Sequence, residues 1–192
     1  MIELMIVLFV MSIVLVIAGG ALISLSQATN RGSAMITEEQ NASTVLAQLA
    51  RDIRSAHTIS FPATAIPADQ IVLQVTNPGG GTTPVQWLYQ PTSATLTREI
   101  QNGAGTYVPA GFSLTNMANT DSQPLLTYFN RQGVNISASV NTTIAQCATR
   151  VEIDLIATPP AGITGVANFQ ESADVALTDQ LTVLSAPGNG QC

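Results

Sequence analysis

The chain has 192 residues, room for one ordinary domain with an appended element but not for two comfortable domains. Hydrophobic residues make up 46% of it and charged residues only 9%, well below the roughly 25% charge of an average globular protein, so Ser, Thr, Asn and Gln must keep the surface wet. The basic residues are six arginines scattered from Arg31 to Arg150, and the net charge is −6, which leaves the isolated chain no specific signal for nucleic-acid binding.

The first element is apolar. Residues Leu4 to Leu25 read LMIVLFVMSIVLVIAGGALISL, with no charge and with Ser12 and Ser24 as the only polar side chains. About 20 helical residues at about 1.5 Å each cross the roughly 30 Å hydrocarbon core of a bilayer. Such a run satisfies its backbone only as a helix in lipid or among other helices. A cleavable secretory signal would need a basic stretch ahead of a shorter apolar core and a small-residue cleavage site, and none of these is present. A plain single-pass anchor explains the length but not Glu3. A carboxylate at the lip of an apolar helix either stays wet at the membrane surface or takes a cation from a neighbour, because burying it unpaired costs several kcal/mol, on the order of the penalty for any lone buried ion.

The segment Ile2-Glu3-Leu4-Met5-Ile6-Val7-Leu8, running into Phe9 and the apolar stretch, resembles the start of mature type IV pilins and type II secretion pseudopilins. The likeness covers about the first 25 residues, counted on the span that a membrane helix needs. It implies removal of a leader by a prepilin peptidase, N-methylation of the new N-terminal residue and handling by a pilus assembly machinery. It also implies a filament core of packed helices beginning Leu4, Met5, Ile6, Val7, Leu8 and Phe9, in which Glu3 neutralises the N-terminal amine of an adjacent subunit. The spacing departs from the family's: the glutamate usually sits two residues further in, behind a leading Phe. The modified residue is therefore Met1 if the processing site differs, or lies before it if the mature chain begins slightly earlier. Gly19 and Gly20 interrupt the run and lower helix propensity by about 2 kcal/mol relative to alanines. Two readings stand: close helix packing, or a point that melts when the helix leaves the bilayer.

Beyond Leu25, the residues Met35, Ile36, Val45, Leu46, Leu49, Ile53 and Ala56 recur at helical spacing, with Glu38, Glu39, Gln40, Arg51, Asp52 and Arg54 on other faces. The spacing predicts one long helix, broken or softened around Gly32 and ending before Pro62. Its first part (1–25) is apolar all round, and its continuation (26–60) is amphipathic with Asp52 and Arg54 as solvated charges. From residue 61 to 192 the period becomes two. Strands are expected at Ile71–Val75, Val85–Tyr89, Ala94–Ile100, Leu125–Phe129, Val134–Ile136, Val151–Leu155, and around Val175, Leu177, Leu181 and Val183, with turns at Asn77–Gly81 and Arg131–Gly133. Helix first and antiparallel strands after predict an α+β fold, a long helix packed on a β-rich head.

Arg51-Asp52-Ile53-Arg54-Ser55-Ala56, the Trp87-Leu88-Tyr89 to Leu96-Thr97-Arg98 hairpin and Val151-Glu152-Ile153-Asp154-Leu155 resemble W-type minor pilins and J-type pseudopilins. The cysteines are Cys147 and Cys192. Two free thiols are one possibility; the export that the resemblance implies favours a pair, closing a C-terminal loop of about 45 residues worth roughly 3–4 kcal/mol in the chain-entropy model.

No reaction chemistry stands out. His57 is the single histidine, too few for a histidine zinc site. Gly79-Gly80-Gly81 has no lysine after it, and no nucleophile elbow or dinucleotide fingerprint occurs. Asp121 and Asp174 are isolated carboxylates that could contribute to calcium binding only in company. The expectation is a non-enzymatic structural subunit without cofactor or metal, polymerising with itself or with other pilins, membrane-anchored before assembly and then in an extracellular filament or periplasmic pseudopilus. The alternative is a membrane-anchored extracellular binding module that never polymerises.

Overall fold

The computed structural model describes residues 2–62, 64–77, 79–159 and 167–177, with side chains from Met5 onward. One α-helix, α1, runs Ile2–Ser55, 54 residues without a break. It passes through Gly19, Gly20 and Gly32, so the expected break at Gly32 is absent. One glycine costs a helix only about 1 kcal/mol, and the flanking turns of a long helix absorb that. Thr29 and Thr37 fold their hydroxyls back onto the carbonyls of Leu25 and Ser33, at 2.9 Å in both cases.

The helix stops earlier than the apolar spacing suggests. Ala56–Ser60 is a strand, β1, rather than a last helical turn. Ala56 and Ile59 remain buried in it, so residues that continue a helical stripe also serve a strand beginning at Ala56. His57, expected near the helix end, is an exposed residue of β1. Four strands follow in sequence: β2 Gln70–Thr76, β3 Thr82–Gln90, β4 Thr95–Gln101 and β5 Tyr107–Leu114. Together with β1 they form an antiparallel sheet in the order β1-β2-β3-β4-β5. A second antiparallel sheet, β6-β7-β8, is made of Leu126–Phe129, Arg150–Ala157 and Phe169–Ala176. A short helix, α2 (Asn141–Cys147), precedes β7. The α+β layout is thus a long N-terminal helix and two antiparallel sheets.

Five of the expected strands are elements of these sheets, and Val175 lies in β8. Val134–Ile136 makes only an isolated bridge, Phe129 to Asn135, because the tight turn at Gly133 (φ +78°) leaves too little chain to extend a ladder. Leu181 and Val183 lie outside the described residues. Alternation places Ile71, Leu73, Val85, Trp87 and Leu96 of the first sheet, and Leu126, Tyr128, Val151, Ile153 and Leu155 of the second, in one core with Val45, Leu46, Leu49 and Ile53 of α1. Burying each of the larger helix side chains contributes about 1.5–3 kcal/mol.

Residues 115–123 tie the two sheets together. Asn119, buried, donates through Nδ2 to the carbonyls of Gln123 (3.1 Å) and Asp154 (2.6 Å) and accepts from the Ile156 amide (3.1 Å). The Tyr89 hydroxyl donates to the Asn119 carbonyl at 3.0 Å, so a residue of β3 is held to a loop that is itself bonded to β7.

Candidate functional site

The feature that sets this molecule apart from an ordinary globular domain is the N-terminal part of α1. From Met5 to Leu25 its apolar side chains are exposed: Met5 73%, Phe9 67%, Val16 75% and Leu25 65%. None of the most apolar window is buried against the rest of the chain. Monomeric soluble proteins rarely expose apolar patches beyond about 300–600 Å², and about 30 Å of all-apolar helix far exceeds that. The helix is long and apolar enough to cross a membrane. Its one described hydroxyl bond, Ser12 Oγ to the Phe9 carbonyl at 2.7 Å, keeps that polar group satisfied within the helix.

Leu8 (62%) and the other expected core-forming residues Met5, Ile6, Val7 and Phe9 all lie on this exposed span. Met1 and the side chains of Glu3 and Leu4 lie outside what the structure describes. Gly19 and Gly20 are helical, and a Cβ built on either meets nothing within 4 Å, so no contact inside the molecule requires a glycine there. Cys147 is buried at the end of α2 and disulfide-bonded; Cys192 lies outside the described residues.

The far end of α1 is fixed to the head by a buried ion pair, and here the sequence expectation fails. Asp52 is only 2% exposed, not a solvated helix charge. Its carboxylate accepts from Gln48 Nε2 at 2.8 Å, Trp87 Nε1 at 2.9 Å and Arg98 Nε at 2.7 Å. Trp87 and Arg98 stand directly opposite each other on β3 and β4, so one carboxylate of the helix bonds to two neighbouring strands. The ladder between β4 and β5 shifts register opposite Arg98, and Gly111 falls in that shift with φ +76°. Phe112, next to it, brings its ring centroid to 6.0 Å from the guanidinium carbon. Three donors on the Asp52 carboxylate, one of them from Arg98, whose own side chain is only 13% exposed, meet the condition under which a buried charge is tolerable: paired and hydrogen-bonded.

A family-model scan and searches of curated proteins and of solved structures find no match to the chain. The chain's own geometry therefore carries the functional argument.

Among the described residues no group of three His, Cys, Asp or Glu side chains gathers as a metal site would require. Asp174, considered above for calcium, lies 3.0 Å from Arg150. Asp69 and Asp121 are close enough that Asp121, after burial, helps to raise the Asp69 pKa. Tyr128 is pushed well above the ordinary tyrosine value by burial, and its hydroxyl donates to the Pro67 carbonyl at 2.9 Å, which makes it a structural anchor for the loop after β1.

Proposed function

We propose that this chain is a structural subunit of a type IV pilus or a related pseudopilus, held in a membrane by α1 before it joins a filament. The observation that carries the reading is the unburied apolar span Met5–Leu25, continuous with a helix whose other end is bonded into the head. That design favours transfer of the span from lipid to a bundle of like helices, since both environments satisfy apolar side chains and a self-bonded backbone. Glu3 sets the axial register by pairing with a neighbouring N-terminal amine, and Cys147 pairs with Cys192. The extracellular or periplasmic placement of the head, processing by a prepilin peptidase and N-methylation belong to the same proposal.

The test is Glu3→Ala in cells that assemble filaments. The substituted chain should reach the membrane at the normal level and be depleted at least about tenfold from sheared filaments, as loss of a desolvated charge pair implies. Normal incorporation would remove the register role. If the unsubstituted chain stays wholly in the membrane while filaments form without it, the anchored binding module takes the place of this reading.

A further inference from the structure

The outer face of α1 along the head carries opposite charges at its two ends. Glu39, Ser43, Ala47 and Arg51 are spaced four apart and exposed, which places them in a slowly drifting row on one side of the helix. Two shallow grooves follow this row and share Ser43. The first is lined by Ile36, Glu39 and Glu171, the second by Arg51 and Phe112. Neither Glu39 nor Glu171 of β8 has an ion-pair partner among the described residues, and burial and then the charge of Glu39 raise the Glu171 pKa. At the basic end, Arg51 has no ion-pair partner among the described residues. Ile36, 57% exposed, leaves an apolar contact beside the acids.

We propose that this groove is a self-docking surface, in which the Glu39–Glu171 end of one subunit receives Arg51 of a second copy displaced along the helix axis. The inference rests on the filament reading above and adds a second, head-level register to it. The occupant is a second copy because the chain supplies both halves of the match. It is also continuous with the exposed span on the same helix, so packing those spans side by side brings the outer faces of α1 together. Glu39 and Arg51 are separated by about 18 Å at about 1.5 Å per residue, which sets the axial offset of the two copies. The contact is head-to-tail: each docked copy leaves one acidic and one basic end open, so it propagates instead of closing a dimer.

Charge exchange tests it in cells assembling filaments from the full chain, with each variant measured in the membrane and in the sheared filaments. Glu39→Arg and Arg51→Glu should each deplete the filament fraction at least about tenfold relative to the membrane, since like charges then face each other. The double exchange should return incorporation to within about threefold of the unsubstituted chain, as restored complementarity requires. Arg51→Gln, a milder exposed substitution, should give an intermediate loss at an unchanged membrane level. Normal incorporation of the single variants, or a double exchange as depleted as the singles, overturns the self-contact while leaving the filament reading intact. Absence of the unsubstituted chain from filaments overturns both.

Discussion

Asp52 illustrates how far a single carboxylate can be misread from its neighbours in sequence. Arg51 and Arg54 flank it, and a helical acid between arginines normally points to water. Its partners are instead Trp87 and Arg98, 35 and 46 residues away, and no local pattern reports them. Removing the carboxylate would leave a guanidinium and an indole N–H without their acceptor in the core. Asp52→Ala should therefore destabilise the head by about 3–5 kcal/mol, the cost of breaking a buried pair from one side. Urea unfolding of the detergent-solubilised chain reads this directly, because the only tryptophan, Trp87, lies in the network. An effect below about 1 kcal/mol, typical of exposed pairs, would mean that the pair is solvated.

Asp69 gives a pH-dependent counterpart. Burial and then the charge of Asp121 raise its pKa above the ordinary aspartate range, so the folded state disfavours the ionised form. Below the unfolded value both states are protonated and nothing is lost. As pH rises through that value the unfolded state releases its proton more readily, and stability falls until the folded carboxyl has also ionised. Asp69→Asn should accordingly raise the melting temperature at pH 7 and leave it nearly unchanged at about pH 3, where the native residue is neutral as well. A larger gain at the acidic end would reverse the assigned sign. The group is only half-buried, and the difference between the two pH values is the measured quantity.

At the scale of elements, regular period-two segments were legible: Ile71–Val75, Val85–Tyr89 and Val151–Leu155 alternate cleanly and sit in β2, β3 and β7. The elements that escaped have physical reasons. β5 carries Pro109 and Gly111, which break alternation and remove a donor; an edge strand with a shifted register tolerates both. β1 hides in the continuation of a helical stripe. α2 is preceded by Val140 at its N-cap, which supplies no side-chain hydrogen bond, so no start signal marks it. The apolar span itself was plain from composition, whereas the role of Glu3 rests on resemblance and on an assembly that a single chain does not contain.

The long helix also divides into a gripped and an ungripped part, and the two should respond differently to truncation of a leucine. Leu49 is fully buried and Leu15 is 64% exposed. Leu49→Ala should cost about 2–5 kcal/mol of head stability through lost transfer energy and the cavity left behind. Leu15→Ala should leave the head's unfolding midpoint unchanged, because among the described residues none of that segment is buried against the head. Equal effects would show that the span supports the fold in detergent.

For the whole molecule, the distribution of burial separates folding from assembly. The buried residues of α1 begin at Ala42, and every described side chain of the head core comes from there onward. Among the described side chains the span Met5–Leu25 holds no buried residue, so its apolar area is left open to contacts outside the chain. A chain begun at Thr29 should then be water-soluble and monomeric by size exclusion with light scattering. It should unfold at the same denaturant concentration as the full chain in detergent, within the roughly 10–15% error of extrapolated stabilities. The full chain without detergent should sediment as aggregate, because no surface of its own covers a helix of that length. If the shortened chain were unfolded or aggregated instead, the N-terminal helix would be part of the folding unit. The division into a self-sufficient head and a helix reserved for lipid or for neighbouring subunits would then fail.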